Sequence, residues 1–261
     1  MELAGRPVTV DELAALGLCN YGHFTSMLVE ASRVRGLTLH LDRLVDDCRV
    51  VFDAELVRDR IRDLVRRVER PPTAILRVTV FAPDLQLGNP GQRVSPEVLV
   101  SMRPAAGHPL PPLRLRSVAY QRELAAVKHV GLFGTMLHRR AAQLAGFDDA
   151  VFVDAKSRVS EGATWNIGFV GDDDRIIWPT GDCLSGVTMR LLDAACASIG
   201  IETVTREVDL AAAQGMRAAF VTNAAVGVRP VAALNGAAYA TDLPLLQRLH
   251  DLYRAIPGDM L

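Results

Sequence analysis

The stretch "DDAVFVDAKSRVSEGATWNIGF", Asp148 to Phe169, decides the fold class of this chain. Two apolar runs with alternating side chains flank a polar stretch at Lys156, the pattern of two strands joined by a solvated turn. Strands are expected at Ala150–Asp154 and Thr164–Val170. Glu161 falls between the end of one strand and the start of the next. On position alone, a carboxylate turned inward across a hairpin and an exposed turn carboxylate both fit.

Outward from this hairpin, strand and helix patterns keep mixing. "GVTMRLLDAACASIG" (Gly186–Gly200) has helical spacing and a glycine stop, and "DLPLLQRLHDLYRAI" (Asp242–Ile256) reads as a terminal helix. "RIIWP" (Arg175–Pro179), "ETVTREV" (Glu202–Val208) and the pair within "AAFVTNAAVGVRPVAAL" (Ala218–Leu234) read as strands. Upstream, a strand is expected over Leu113–Tyr120 and a helix over Gly134–Leu144, closed by Gly146. Nearer the N-terminus, Phe24–Leu41 reads as two strands joined around Ala31-Ser32. Leu41, Leu44, Val45 and Cys48 then share one helical face. A second helix follows, with Asp53 as its N-cap and Leu56, Ile61, Leu64 and Val68 as its stripe. Thr73–Pro83 and Pro96–Pro104 carry two more strands. The proline- and glycine-rich 104–112 is the expected linker, which gives an N-terminal α/β lobe (1–103) and a C-terminal mixed α/β lobe (113–261). The expected class is α+β, mixed α/β.

Composition narrows the function. Net charge is −1, with no lysine or arginine block, which argues against a general nucleic-acid binder. No stretch approaches 18 apolar residues and no N-terminal segment has the form of a leader, so the expectation is a cytoplasmic protein without membrane contact. The four cysteines form no CxxC pair and the six histidines are scattered, which favours no metal site. The common phosphate-loop, dinucleotide, metalloprotease and nucleophile-elbow motifs are missing from the sequence.

Of 29 basic residues only Lys128 and Lys156 are lysines. Lys156 sits in the solvated turn. Lys128 stands in "AAVKHV" (Ala125–Val130), an apolar setting where a cation is costly unless paired or neutralised. Lysine can lose its proton near neutral pH and attack a carbonyl, which arginine cannot. A snorkelling or Glu123-paired lysine is the other local reading. A Schiff-base cofactor with a ring nitrogen needs a carboxylate, and Glu161 is a candidate. Its phosphate needs a helix N-terminus, a hydroxyl and a cation. "LSGVTMRLL" places Val187 and Thr188 at the start of a helix, and Arg43 in "LHLDRL" is a possible clamp; plain capping and solvation are the alternatives.

Taken together and in order, "HLDRL", "VKHVGLFG", "DDAVFVDAKSRVSEGATWNIGF", "LSGVTMRLL" and "FVTNAAVGVRPV" resemble the class IV, fold type IV pyridoxal-phosphate enzymes. These include branched-chain and D-amino-acid aminotransferases and aminodeoxychorismate lyases. The resemblance runs from about Phe24 to Gly236. It implies a two-lobed fold with pyridoxal 5'-phosphate in the cleft between lobes, and a homodimer. It implies Lys128 as the Schiff-base lysine and Glu161 as the partner of the ring nitrogen. Arg43, Val187, Thr188, Asn223 and Ala224 would hold the phosphate. The partners implied are a small-molecule amino donor and an oxo-acid acceptor.

Two positions depart from the branched-chain pattern. Phe133 stands where those enzymes place a tyrosine, and Thr25 where they place a glutamate; Thr25, with "KH" and "TNA", is closer to the lyase. Tyr120 and Arg122 are weaker candidates to line the substrate pocket, against a reading as surface residues at a strand end. The leading expectation is an aminotransferase. Aminodeoxychorismate lyase comes second, and a non-catalytic binder of the cofactor or a phosphate ligand third.

Overall fold

A computed structural model describes residues 1–105, 107 and 110–261, in two units. One comprises Met1–Ala106, Val127–Leu132 and Gly258–Leu261; the other comprises Gly107–Ala126 and Phe133–Pro257. Of the expected linker 104–112, Ala106, His108 and Pro109 lie outside the described residues. Lys128, expected on the C-terminal lobe, is carried by the segment that joins the first unit. The cause is backbone pairing: the Phe24 N–H donates to the Lys128 carbonyl at 2.9 Å, and the Val130 N–H to the Gly22 carbonyl at 2.9 Å. Gly22 is required there, because a Cβ would lie 2.5 Å from the Val80 carbonyl oxygen at a φ of +153°.

The first unit opens with the short pair β1 (Glu2–Leu3) and β2 (Arg6–Pro7) and helix α1 (Val10–Cys19), in a stretch whose sequence reads only as polar. The α1 start is a capping box, in which Thr9 and Glu12 satisfy each other's backbone amides. Strand β3 (His23–Glu30) turns into the two-residue β4 (Arg33–Val34), and helix α2 (Leu37–Phe52) follows at once. The second expected strand is therefore mostly helix. Its leucines serve either period, and burial of Leu37 together with Leu41 and Leu44 selects the helical one. Asp53 ends α2 at a φ of 50° rather than starting the next helix, and α3 spans Arg58–Arg67. Strands β5 (Thr73–Phe81) and β6 (Glu97–Pro104) complete the antiparallel core of a seven-stranded sheet, edged by Asp259–Met260 at the far end of the chain. Apolar residues of α2 and α3 pack on one face of it against Met27, Val29, Leu76, Val78 and Val100.

The second unit contains β7 (Leu113–Ala119), α4 (Phe133–Leu144), β8 (Asp149–Val153), β9 (Val159–Gly162), β10 (Asn166–Val170) and β11 (Ile176–Pro179). It continues with α5 (Val187–Ser198), β12 (Thr203–Arg206), α6 (Leu210–Gln214), β13 (Ala218–Asn223), β14 (Gly227–Leu234), β15 (Ala237–Ala238) and α7 (Pro244–Ala255). The order β10-β13-β14-β7-β8-β9, with β9 pairing back onto β10, closes six strands into a ring. Leu115, Val151, Val159, Trp165, Ile167, Phe169, Ala219 and Val221 fill its interior. Outside it, α5 and α7 cover Val170, Trp178, Phe220 and Val228. The mixed α/β class expected from the sequence is the class observed. Among the described residues no helix is long and apolar enough to cross a membrane, and the four cysteines are free thiols.

Candidate active site

In the first unit the reactive groups gather where the Lys128 segment pairs with the start of β3. The Lys128 amide donates to the buried Asp47 carboxylate on α2 at 3.0 Å. Its ammonium lies 4.8 Å from the centre of the Phe24 ring. Strand alternation puts Met27 and Val29 of β3 toward the helices, so Phe24 looks to the opposite face. There the Arg77 guanidinium of β5 stacks 3.6 Å from the same ring centre, and its Nε donates to Thr79 Oγ1 at 3.1 Å. Arg77 forms no ion pair with any described residue, and burial lowers its proton affinity. An amine and an uncompensated guanidinium over one aromatic ring suit a molecule carrying both a reacting amine or carbonyl and a carboxylate.

Thr25, the next residue of β3, points to α2, where its hydroxyl shares a 2.7 Å hydrogen bond with His40 Nδ1. His40 is buried, and desolvation, followed by the charges of Arg43 and Lys128, pushes its pKa down to about 3. It is therefore a neutral ring at physiological pH. Arg43 lies one turn further along α2, close enough to act electrostatically on both His40 and Asp47. Burial raises the pKa of Asp47, against the hydrogen bond from Lys128 and the charge of Arg43. The structure thus brings Thr25, Arg43 and Lys128 together and adds Phe24, His40, Asp47 and Arg77, which the motif reading passes over.

In the second unit the site is built on strand register. Val151 pairs with Gly162 and Val153 with Val159, so β9 advances one residue more than β8 and bulges. Val159 and Gly162 can then both face the interior of the ring while Glu161 turns outward. Glu161 pairs with Asn166, and Asn166 with Thr222, so three polar side chains form a row on the outer face. Glu161 Oε2 accepts the Leu184 amide at 3.1 Å, and the Asn166 amide donates to the Leu184 carbonyl at 2.7 Å. This grip on Leu184 fixes the chain just before α5. Glycine is required at 186, since a Cβ would come within 1.9 Å of Asn166 Oδ1.

No side chain caps the N-terminus of α5, where Val187 and Thr188 are buried. The hydroxyls of Thr188 and Thr222 are buried with no hydrogen-bond partner among the described residues. Two orphan donors beside uncapped helix amides fit a phosphate, which accepts several hydrogen bonds and is favoured by the helix dipole. The buried, ionisable Glu161 likewise fits a protonated ring nitrogen. These residues suit pyridoxal phosphate.

Three of the expected site residues have defined surroundings. Arg122 is turned inward: its Nε donates to Glu161 Oε1 at 2.7 Å, with 9% and 6% of the two side chains exposed. Tyr120 packs against the rings of His138 and Phe152 at 4.5 and 4.9 Å. It borders a cavity of about 730 Å³ whose lining includes none of Glu161, Val187, Thr188 or Asn223. The Asn223 side chain is spent on its own turn, accepting the amides of Ala225 and Val226 at 3.0 Å and donating to the Thr164 carbonyl at 3.2 Å. Any contribution from Asn223 and Ala224 to an anion therefore comes from backbone amides. Phe133, largely exposed, opens α4 and brings no hydroxyl.

The family model described as amino-transferase class IV matches residues 22–234. A probable branched-chain-amino-acid aminotransferase of Synechocystis is 25% identical over 122 residues, 46% of this chain and 40% of that protein, so the match spans less than half of the curated relative's length. Among solved structures, a branched-chain aminotransferase from Thermoproteus uzoniensis superposes with a TM-score of 0.86, at 18% identity, over 97% of this chain and 92% of that one. A Legionella pneumophila protein assigned as a 4-amino-4-deoxychorismate lyase gives 0.85, at 19% identity, over 95% and 94%. At these identities the structures show a shared fold.

Proposed function

This chain belongs to the class IV aminotransferase family, and we propose that it is a pyridoxal-phosphate-dependent aminotransferase moving an amino group between an amino acid or amine and a 2-oxo acid. The observation that carries this reading is that the Lys128 amine and the Arg77 guanidinium, which has no ion pair among the described residues, both lie on the Phe24 ring, 4.8 and 3.6 Å from its centre.

When bound, pyridoxal phosphate supplies an aldehyde that condenses with amines and a ring that withdraws electrons from the substrate carbon. Lys128, once neutral, is both the nucleophile and the base that moves a proton at the substrate's α-carbon. Arg77 would hold the substrate carboxylate through its planar pair of donors, which fixes the α-carbon against the base. Neutral His40 orients the Thr25 hydroxyl and adds no charge near the amine. In the second unit, Glu161 would face the ring nitrogen, and the Val187 amide with the hydroxyls of Thr188 and Thr222 would hold the phosphate. Arg43 and the backbone at Asn223 and Ala224 would complete the phosphate's partners. A homodimer and a cytoplasmic location belong to the same reading; the exposed apolar side chains of Phe133, Met136, Leu137 and Leu144 on α4 support the former.

A second reading is the lyase that releases pyruvate from aminodeoxychorismate. It is favoured by Thr25, whose anchored hydroxyl stands where the branched-chain enzymes have a glutamate.

The purified chain with pyridoxal phosphate should gain an absorbance band near the visible edge that borohydride abolishes. Lys128→Ala should lose the band and at least about a thousandfold of the turnover. Exchange of an amino group with an oxo acid selects the aminotransferase, and pyruvate release without an amino acceptor selects the lyase. Cofactor binding with neither reaction across a panel of donors of both hands would leave a non-catalytic binder and reject both.

A further inference from the structure

The stretch Tyr120–Ala126 leads directly into Lys128, yet one of its side chains turns back into the second unit. Arg122 is buried, donates through Nε to Glu161 Oε1 at 2.7 Å and through Nη2 to the Ala125 carbonyl at 2.5 Å. Glu161 spends its second oxygen on the Leu184 amide at 3.1 Å. The acid that would face a ring nitrogen therefore already has a fixed cationic neighbour.

We propose that Arg122 is a positioning residue that sets the proton affinity at the ring nitrogen by holding Glu161 as an oriented anion beside a permanent positive charge. This rests on the reading that Glu161 faces the nitrogen of pyridoxal phosphate. The guanidinium repels a protonated nitrogen placed on the same carboxylate and offsets the carboxylate's charge there. That lowers the pH at which the nitrogen gives up its proton. Arg122 thus limits how strongly the ring withdraws electrons, where an unaccompanied carboxylate would maximise it.

Among the described residues, Cys183 and Asp182 also lie near Glu161 and Arg122. The Cys183 thiol, pushed up to about 11 chiefly by burial, feels Glu161, Arg122 and Asp182 in turn, and is neutral at physiological pH. Asp182 is exposed and takes a hydrogen bond from Gln121. Arg122 is the buried cation of the group.

The test compares the wild type with Arg122→Gln, Arg122→Lys and Arg122→Met in the full chain. Without cofactor, a double-mutant cycle of Arg122→Gln and Glu161→Gln, read by denaturant unfolding, should show the two side chains coupled, with much of the coupling kept by Arg122→Lys. With ¹⁵N-labelled pyridoxal phosphate bound, the ring-nitrogen resonance should titrate at higher pH in Arg122→Gln than in the wild type, again with rescue by lysine. Arg122→Met keeps the buried volume and carries the comparison if the glutamine variant does not fold. Absence of coupling between Arg122 and Glu161 overturns the proposal. Coupling with an unmoved ring nitrogen overturns it as well. Coupling in a protein that binds no pyridoxal phosphate instead sinks the functional reading while the Arg122–Glu161 pair stands.

Discussion

In the first unit Asp47, His40 and Thr25 beside Lys128 are already partnered, whereas in the second the buried hydroxyls of Thr188 and Thr222 are not, among the described residues. Asp47 accepts the Lys128 amide and His40 shares a proton with Thr25, so the surroundings of the amine are fixed in advance. Thr188 and Thr222 bury hydroxyls that find no partner among the described residues. A residue that must react needs a defined geometry and proton affinity beforehand. A face that must hold an anion stays incomplete until the anion supplies its acceptors. Within the second unit, Glu161 follows the first pattern, with Arg122 on one oxygen and the Leu184 amide on the other.

Glu161→Gln tests that pairing and should have the largest effect. The substitution keeps the volume but leaves the Arg122 guanidinium buried without a counter-ion, a change of about 3–5 kcal/mol for a pair this enclosed. Denaturant unfolding should show that loss, and amino transfer should fall with it. A loss under about 1 kcal/mol would mean that water reaches the pair, and would place the Glu161 site with the incomplete groups rather than the prearranged ones.

Acid should act on the other unit. Burial pushes His23 down to about 4 and His40 to about 3, while an unfolded histidine titrates near 6.5. Both folded values are depressed, so their stabilisation is complete above about pH 6.5 and declines as pH falls toward the folded values. Each histidine should cost about 1–2 kcal/mol between pH 7 and pH 5. Asp47, whose burial raises its proton affinity, has the opposite sign and gains relative stability on acidification. Hydrogen exchange at pH 5 should show the first unit opening ahead of the second, and His23→Gln with His40→Gln should flatten the slope. Earlier opening of the second unit would invert the comparison.

What the sequence discloses follows the same division between local and cross-strand information. Lys128, Arg43, Thr25 and the α5 start are legible because their chemistry shows in residue type and local spacing. The outward turn of Glu161 is not, because it depends on one extra residue in β9, visible only in its pairing with β8. Arg77 and Thr222 read as ordinary members of alternating strands. Phe24 and Lys128 single out Arg77, and Asn166 places Thr222, only once the register is known. Arg122 misleads for another reason: a strand end beside a charged stretch reads as surface, and a carboxylate 39 residues away draws it inside. The second expected strand shrinks to the two-residue β4 because leucines at Leu37, Leu39 and Leu41 satisfy both periods until helix burial decides.

The smallest effects should come from the orphan hydroxyls, and they separate an incomplete site from a merely imperfect core. Thr188→Val and Thr222→Val replace each buried hydroxyl by a methyl of nearly equal volume. With no partner to lose, the cofactor-free protein should keep its stability or gain up to about 1 kcal/mol, since an unsatisfied polar group is removed. Affinity for pyridoxal phosphate should move the other way, weaker by about tenfold per hydroxyl, or about 1.4 kcal/mol. Inorganic phosphate, followed as a competitor, should lose affinity in parallel if the hydroxyls meet the phosphate rather than the ring. Opposite signs in one substitution are expected only where folding has left a donor waiting for a ligand. If both quantities fall together, the hydroxyls have partners of their own in the folded chain, and the contrast between the two units disappears.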